Sequence, residues 1–397
     1  MKNSEVKNIT PGVDWVGILD FDIVTFDVVM ETKYGTTYNS YLVRGREKTA
    51  LIETAKVTFW DEYLEKIKSL VNPADIDYLV LNHTEPDHSG SLVKLLEICP
   101  KATVIASGTA LRYLADIVNK TFPQQAVKDG DSLDLGGKTL RFISAPNLHW
   151  PDSMYTYLPE DKVLFTCDSF GAHYADKGVF DDAVGNYDDA FKYYYWAILR
   201  PFSRFFLKAI EKVEALDIAA ICPGHGPILR KDWKKYVALS KHWSEEFIKF
   251  PLTNRVMVAY VSAYGYTGAL AEKIADGIRS AGLDVDLCNV EKMDAGEISA
   301  HMEQASAYLF GSSTINQNAL PPIYTCFALL SPLRDRGKLA GGFGSYGWSG
   351  EARDVIEGNI KTCKLSFVEN YFVKFRPSEE ELKGAFDFGV RFAQKML

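Results

Sequence analysis

The sequence has no Cys-x-x-Cys pair, although it contains six cysteines, at positions 99, 167, 222, 288, 326 and 363. The absence of this pair excludes a rubredoxin-like or iron–sulfur module within the chain, and the scattered spacing offers no disulfide framework. No uncharged run approaches the roughly 20 residues of a membrane span. The opening residues Met1–Lys7 lack the apolar core that directs secretion. We therefore expect neither export nor membrane insertion.

The sequence also has no excess of positive charge, since its formal net charge is -8 and its pI is near 5.5. This balance argues against a nucleic acid or an anionic membrane surface as the main partner. The 397 residues, 47% of them apolar, suffice for about two or three domains with their own cores. These properties are typical of a cytoplasmic enzyme.

Possible metal ligands are concentrated in the stretch from residue 82 to residue 90. His83, Glu85, Asp87 and His88 directly follow the apolar run Ile76–Leu81, which is typical of a buried strand. Because alternate side chains in such a segment diverge only slightly, the first two can bind one metal and the last two a second. Nitrogen and hard oxygen donors without a thiolate favour iron or manganese over structural zinc. The alternative is a polar loop with two incidental histidines.

Three later residues can complete two metal sites. His149, Asp168 and His225 each lie where a predicted strand gives way to a loop, which is where α/β architectures gather reactive groups. The two carboxylate oxygens of Asp168 could bridge both metals.

The order of these seven residues resembles the metallo-β-lactamase-like domain of flavodiiron proteins, which are oxygen or nitric oxide reductases. Glu85 stands where related zinc hydrolases typically carry histidine, and this carboxylate favours iron. The resemblance implies that His83, Glu85 and His149 hold one iron, that Asp87, His88 and His225 hold the other, and that Asp168 bridges them. It also implies an αββα sandwich. A zinc hydrolase of the lactonase or glyoxalase type is the alternative for this domain.

Several neighbours of these residues could shape the site. His173 is either a residue that orients the ligands or a hydrogen-bonded structural histidine. The run Tyr193–Trp196 is predicted to lie mostly in the core, with the Tyr194 hydroxyl facing the metals as a proton donor. Trp150 is predicted to pack against the site and keep it dry.

Strand-like and helical runs alternate up to about residue 250 and predict sheets covered by helices. The expected strands include Thr37–Val43, Lys48–Thr54, Ala102–Ser107, Thr139–Ser144 and Lys162–Asp168. The expected helices are Trp60–Leu70, Leu92–Cys99, Val184–Phe206 and Lys231–Phe250. Pro251 interrupts the last helical pattern, so we divide the chain into domains 1–252 and 253–397.

The second domain alternates strands and helices regularly, which predicts a doubly wound parallel sheet. Its strands are expected at Val256–Ser262, Asp284–Val290, Ala305–Gly311, Leu339–Gly344 and Leu365–Phe375. In this architecture the loops after the first, third and fourth strands share one edge. There, hydroxyls and N–H groups at a helix N-terminus can bind a phosphate. The alternative is an ordinary capped turn between strand and helix.

The domain resembles flavodoxin, and this resemblance implies FMN as the cofactor. No Gly-x-Gly-x-x-Gly is present, so a mononucleotide is favoured over a dinucleotide. The predicted contacts are Ser262, Ala263, Tyr264, Gly265, Tyr266, Thr267, Ser313, Thr314, Asn316, Ser345, Tyr346, Gly347, Trp348 and Gly350. Tyr346 or Trp348 is expected to stack on the flavin ring. Tyr264 departs from the common flavodoxin loop, which leaves the stacking geometry open.

The resemblance implies a flavodiiron reductase that uses two irons and FMN to reduce dioxygen to water or nitric oxide to nitrous oxide. The ligand set does not discriminate between the two gases. The expected donor is external, most commonly rubredoxin, with a reduced deazaflavin serving some archaeal members. A head-to-tail homodimer or a dimer of dimers is expected, with each FMN beside the partner's irons. The alternatives are a zinc hydrolase fused to a flavodoxin, and an electron-transfer flavoprotein whose metal domain is a structural base or redox sensor.

Overall fold

The computed structural model describes residues 5–26, 30–249, 254–331 and 334–397. The chain forms two compact units, Met1–Lys249 and Phe250–Leu397. The predicted boundary between residues 252 and 253 lies outside the described residues. Among the residues that the structure describes, no helix combines the length and the apolar composition required to cross a bilayer.

Among the described residues, the first unit contains two large sheets, two two-stranded sheets and the helices that cover the large sheets. Its strands are β1 (Lys7–Thr10), β2 (Val13–Trp15), β3 (Ile18–Asp20), β4 (Thr25–Phe26), β5 (Met30–Glu31), β6 (Thr36–Tyr38), β7 (Tyr41–Arg44), β8 (Thr49–Ile52), β9 (Tyr78–Leu81), β10 (Thr103–Ser107), β11 (Gln124–Val127), β12 (Ser132–Asp134), β13 (Thr139–Ser144), β14 (Met154–Leu158), β15 (Val163–Cys167) and β16 (Ala220–Pro223). Its α-helices are α1 (Trp60–Leu70), α2 (Pro86–Ser89), α3 (Leu92–Ile98), α4 (Gly108–Val118), α5 (Asp188–Tyr194), α6 (Ser203–Glu214) and α7 (Trp233–Lys249).

The two sheets pack face to face. One has the strand order β1-β2-β7-β8-β9-β10-β11 and the other β12-β13-β14-β15-β16. Ile52 and Phe165 belong to a core made by strands of both sheets. A second core joins the first sheet to α1, α3 and α4, and a third joins the other sheet to α5, α6 and α7. The layers therefore follow the order helix, sheet, sheet, helix, as the predicted αββα sandwich requires.

Local sequence explains the helices. In α1, Tyr63 and Ile67 are buried four residues apart, so they occupy the same face of the helix. Helix α4 begins where the side chain of Ser107 accepts a hydrogen bond from the Ala110 N–H. It ends at Asn119, which adopts a left-handed conformation that asparagine tolerates better than most residues.

The second unit is built on one five-stranded doubly wound sheet, and its described residues also form a separate two-stranded sheet. Its strands are β17 (Arg255–Val261), β18 (Asp284–Asn289), β19 (Ala307–Ser312), β20 (Thr314–Ile315), β21 (Asn318–Ala319), β22 (Leu339–Tyr346) and β23 (Ser366–Lys374). Its α-helices are α8 (Tyr266–Ser280), α9 (Ala295–Gln304), α10 (Pro321–Ala328), α11 (Ala352–Thr362) and α12 (Glu379–Gln394). The main sheet is parallel and has the order β18-β17-β19-β22-β23, which is the flavodoxin order.

Helices cover both faces of this parallel sheet. Residues of α8 and α12 form a core on one face, while α9, α10 and α11 contribute to a core on the other. Helices α8 and α12 can approach closely because Gly277 has no side chain. A Cβ at this position would lie 2.1 Å from the Phe386 carbonyl oxygen. The predicted doubly wound architecture is confirmed.

Two predictions about the first unit are wrong. The helix predicted over 184–206 begins only at Asp188, since the Asn186 side chain accepts from the Asp188 N–H and favours a turn. A π-helical turn and a 3-10 turn then separate α5 from α6, and Pro201 interrupts the regular hydrogen bonding between them. The strand predicted over 37–43 is likewise split into β6 and β7.

Candidate metal centre and flavin site

The structure brings all seven predicted metal ligands together at one edge of the sandwich. His83 and Glu85 follow β9, and α2 carries Asp87 and His88. The remaining three lie on other loops: His149 between β13 and β14, Asp168 after β15 and His225 after β16. All lie at or near the carboxyl ends of strands, so strand ends fix their positions.

One cluster contains His83, Glu85, His149 and one oxygen of Asp168. The Glu85 Oε2 atom lies 3.3 Å from His83 Nε2 and 3.1 Å from His149 Nε2. Asp168 Oδ2 lies 3.5 Å and 3.4 Å from the same two nitrogens. Ligands about 2 Å from a shared metal are separated by about 3 to 3.5 Å, so this spacing suits a cation between them.

A second cluster contains Asp87, His88, His225 and the other oxygen of Asp168. Asp87 Oδ2 lies 3.4 Å from His88 Nε2 and 3.0 Å from His225 Nε2. Asp168 Oδ1 lies 3.1 Å and 3.5 Å from these nitrogens. The two oxygens of Asp168 therefore face different clusters, as a bridging carboxylate would.

The site has a strongly negative electrostatic character. Burial lowers the pKa of His83, His88 and His149, but the carboxylates around them raise it to about 10 in each case. Burial raises the pKa of Asp168, yet the neighbouring histidines hold it well below its usual range. A site that attracts protons this strongly also attracts cations.

Hydrogen bonds fix the histidine rings. The Nδ1 atom of His83 lies 3.2 Å from Asp152 Oδ2, which also accepts from the N–H and the hydroxyl of Thr84 at 2.8 Å. The Nδ1 of His225 donates to the Thr37 carbonyl at 2.5 Å. Both bonds leave Nε2 directed at the clusters, and such partners commonly orient metal-binding histidines.

Asp152 and Thr37 were not identified from the sequence. Asp152 had a local signal, because it is a carboxylate three residues after the candidate ligand His149. Thr37 had none, since it acts through its backbone carbonyl and lies far from His225 along the chain. Gly224 was also missed, and a Cβ there would lie 2.5 Å from His88 Cε1.

A buried carboxylate and a thiol lie behind His88. The Cys167 sulfur is 3.5 Å from His88 Nδ1, and the ligand atoms of Glu53, His88 and Cys167 all lie within 4.8 Å of one another. Glu53 accepts a hydrogen bond from the Asn82 N–H, and burial raises its pKa to about 7. This group was not predicted.

The neighbours singled out from the sequence occupy different surroundings. The buried Tyr194 hydroxyl donates to Asp168 Oδ1 at 2.9 Å, and burial together with Asp168 raises its pKa well above the usual range. The rings of Trp150 and His83 pack edge to face at 5.1 Å. Tyr193 and Trp196 are 46% and 47% exposed, so placing them in the core was wrong. Tyr194 and Tyr195 face inward while their neighbours on the helical turns face solvent.

Three loops of the second unit surround a cavity of ≈340 Å³ at the carboxyl ends of β17, β19 and β22. This volume is within the range of about 300–1,000 Å³ typical of small-molecule sites. Its lining includes the predicted residues Tyr264, Tyr266, Ser313, Thr314, Asn316, Ser345, Tyr346, Gly347 and Trp348. It also includes Ile315, Gln317, Ser349 and Phe375, which were not predicted.

The other predicted flavin contacts lie outside this lining. They are Ser262, Ala263, Gly265, Thr267 and Gly350. Thr267 is fully buried and connects the three loops, because its hydroxyl lies 3.0 Å from Ser313 Oγ and 3.3 Å from Ser345 Oγ. The Ser262 hydroxyl accepts from the Gly268 N–H at 3.1 Å. These two side chains therefore shape the loops from below the cavity.

Family models match both units. A model described as ODP family beta lactamase matches residues 36–226, and a flavodoxin model matches residues 258–389. These matches confirm the metallo-β-lactamase-like and flavodoxin-like assignments of the two units.

Relatives match over almost the whole chain. A flavo-diiron protein of Clostridium acetobutylicum is 41% identical over 96% of this chain and 97% of its own length. A nitric oxide reductase of Moorella thermoacetica is 36% identical over 99% of both chains. The solved structure of the rubredoxin oxygen:oxidoreductase of Desulfovibrio gigas has a TM-score of 0.73 and 31% identity, covering 99% of this chain and 98% of its own. The chain therefore belongs to the flavodiiron protein family of oxidoreductases.

Proposed function

We propose that this protein reduces dioxygen to water, nitric oxide to nitrous oxide, or both, with electrons taken from an external donor. As a flavodiiron protein it has a diiron centre and FMN as cofactors. The observation that carries the proposal is the position of Asp168, whose two oxygens each face a separate pair of histidines.

The residues of the metal centre fit two cations. Within the described residues, both oxygens of Asp87 and Oδ2 of Asp168 are buried and accept no hydrogen bond of regular geometry, although histidine nitrogens lie 3.0 Å from Asp87 Oδ2 and 3.4 Å from Asp168 Oδ2. Buried carboxylate oxygens without donors are costly unless a cation neutralises them. We assign His83, Glu85 and His149 to one iron. We assign Asp87, His88 and His225 to the other, with Asp168 shared.

The residues of this chain hold and shape the centre. When bound, the irons supply Lewis acidity and electrons, and the FMN stores two further electrons. Asp152 keeps His83 in one orientation, and Tyr194 does the same for Asp168 while keeping its proton. The Trp150 ring packs beside His83 and helps to exclude water from this side of the centre. The protein thus positions its ligands before any substrate arrives.

The cavity of the second unit fits FMN. Hydroxyls of Ser313, Thr314 and Ser345 line it, and the N-terminus of α8 lies at its edge, so a phosphate would meet several donors. Tyr346 and Trp348 offer aromatic faces for the ring. We propose the full set of predicted residues as the flavin site, with Ser262 and Thr267 supporting the loops.

We propose a head-to-tail homodimer or a dimer of dimers in which each FMN lies beside the partner's irons. Rubredoxin or a reduced deazaflavin is the proposed donor; the similarity to a rubredoxin oxygen:oxidoreductase supports the former. The six cysteines are all free thiols, which agrees with a reducing cytoplasm. Light scattering that found an active monomer would contradict the assembly.

The test is stopped-flow oxidation of the fully reduced protein by each gas in turn, alongside elemental analysis. We expect two irons and one FMN per chain, and oxidation by at least one gas without release of peroxide. A zinc-loaded protein with hydrolytic turnover indifferent to flavin reduction would overturn the proposal. So would a loaded protein that neither gas oxidises.

A further inference from the structure

Phe375 is a large apolar side chain in an unusual position. It follows β23 at the carboxyl end of the parallel sheet and is 57% exposed. Its backbone φ is +55°, in the left-handed region. A bulky residue rarely adopts this conformation, because its Cβ then crowds the following carbonyl oxygen. Strained residues of this kind are concentrated at ligand sites, so the backbone of Phe375 marks it as a candidate ligand contact.

Two contacts attach Phe375 to the loop that follows β22. Its N–H donates to the Tyr346 carbonyl oxygen at 2.7 Å, directly beyond the last paired residue of β23. Its ring lies against Gly347, where a Cβ would be 3.2 Å from Phe375 Cε1 and 3.6 Å from Phe375 Cζ. The first distance is shorter than an ordinary van der Waals contact between carbons. The absence of a side chain at Gly347 therefore makes room for the ring.

The side chain of Phe375 also forms part of the wall of the ≈340 Å³ cavity at the carboxyl ends of β17, β19 and β22. Its neighbours in that wall include Tyr346, Gly347 and Trp348, which belong to the loop proposed to bind the flavin ring. The N-terminus of α8, which is proposed to face the phosphate, follows a different strand, β17. Phe375 thus belongs to the part of the wall that carries Tyr346 and Trp348. Aromatic side chains in such a wall stabilise a planar ring by stacking or edge contacts.

We propose that Phe375 is a further residue of the flavin site and that its ring contacts the isoalloxazine ring system of FMN. This inference rests on the proposed function, which takes the cavity as the FMN site. It adds to that site a residue from a fourth strand end, beyond the three loops identified from the sequence. In its left-handed conformation the side chain reaches both Gly347 and the cavity, so the contact with the flavin accounts for a backbone that phenylalanine rarely adopts.

Three substitutions separate flavin binding from folding. Phe375→Asn removes the ring and introduces a residue that tolerates the left-handed conformation, whereas Phe375→Leu keeps an apolar side chain without the aromatic ring. Phe375→Tyr keeps the aromatic ring. Because the natural side chain is more than half exposed and its backbone is strained, the thermal unfolding temperature of the flavin-free protein should change little in all three variants.

Fluorescence titration of the flavin-free proteins with FMN and with riboflavin gives the decisive readout. FMN affinity should weaken about threefold in Phe375→Asn and Phe375→Leu and stay at its natural value in Phe375→Tyr. Riboflavin has the same ring system without the phosphate, so its affinity should fall by the same factor. Phe205→Asn, at an exposed phenylalanine of α6 in the first unit, is the matched control and should change neither affinity.

Three outcomes would overturn this inference. The first is an unchanged FMN affinity in Phe375→Asn and Phe375→Leu; a shift in their sedimentation would then assign the ring to a contact between copies of this chain. The second is a loss confined to FMN, which would place the side chain at the phosphate. The third is a large drop in the unfolding temperature of both variants, which would make the ring a support of the fold alone. If the natural flavin-free protein bound neither FMN nor riboflavin, the proposed flavin site itself would be refuted.

Discussion

The two candidate sites of this chain differ in how deeply their side chains are buried by the rest of the chain. At the metal centre, His83, His88 and Asp168 are almost completely buried, and bonds from Asp152 and Tyr194 fix two of them. At the flavin cavity, the side chains of Tyr264 and Trp348 are 79% and 80% exposed.

The difference reflects what holds the side chains of each site in position. The metal ligands are held at strand ends and by hydrogen bonds to other residues of the chain, which orient their side chains. The flavin loops are tied together from below by Thr267, while their aromatic rim has few neighbours in the chain. Substitutions in the metal centre should therefore cause large losses of activity or iron affinity and leave FMN binding unchanged. Substitutions at the flavin rim should weaken FMN binding only slightly.

The largest effect is expected from Asp168→Ala. It removes the carboxylate shared by both clusters, so reductase activity should fall by about 10³-fold or more and iron content should drop. FMN should remain bound, which the yellow absorption and flavin content would show. Removal of His83 or Glu85 should act in the same direction. The control is Asp217→Ala, an exposed aspartate in the same unit. Retained turnover in Asp168→Ala would contradict the assignment of the ligands.

A smaller effect is expected from Gly224→Ala. The added Cβ would lie 2.5 Å from His88 Cε1 and force that ring to move. Iron affinity should fall by about 10- to 100-fold, as for other disturbances of a ligand's support. Equilibrium titration with ferrous iron measures this. Gly108→Ala is the matched control, because a Cβ there meets nothing within 4 Å. Equal affinity in the two variants would mean that His88 adjusts freely.

The flavin half should respond to Thr267→Val. Valine keeps the shape of threonine but removes the hydroxyl that connects Ser313 and Ser345, so FMN affinity should weaken about tenfold. Fluorescence titration of the flavin-free protein with FMN would measure it. Thr362→Val, at the exposed end of α11, is the control. Iron content should be the same in both. A loss of iron in Thr267→Val would show that the two sites are not independent.

The smallest effect is expected from Trp348→Ala. A ring that stacks on the flavin contributes about 0.5–1.5 kcal/mol beyond its buried area, so FMN affinity should weaken about threefold. Trp348→Phe should retain most of the FMN affinity. Fluorescence titration of the flavin-free variants with FMN measures both effects. An unchanged affinity in Trp348→Ala would show that this ring packs at the rim without contacting the cofactor.

The residue types predicted which side chains the structure brings together, because imidazoles and carboxylates were concentrated at strand ends. Their orientation could not be predicted, since it comes from distant partners. Thr37 acts on His225 through a backbone carbonyl, and nothing in the identity of a threonine signals that. The helical pattern over 184–206 also failed, because the turn at Asn186 and the proline at 201 competed with it.

In the second unit the bounds of the strands were predicted with fewer errors than in the first. The residues that line its cavity were predicted less completely. Strands and helices alternate there with strong patterns, and each predicted strand was found within two residues of its bounds. Phe375 was missed as a wall of the cavity, because it follows β23, outside the three loops considered. Loop side chains such as Gln317 depend on local backbone turns that residue types specify weakly.

The bond between His225 and the Thr37 carbonyl joins positions 188 residues apart. His225 is also the last of the seven ligands along the chain. The second cluster therefore cannot be completed until the polypeptide has been synthesised through residue 225, whereas His83, Glu85, Asp87 and His88 are all in place within its first quarter.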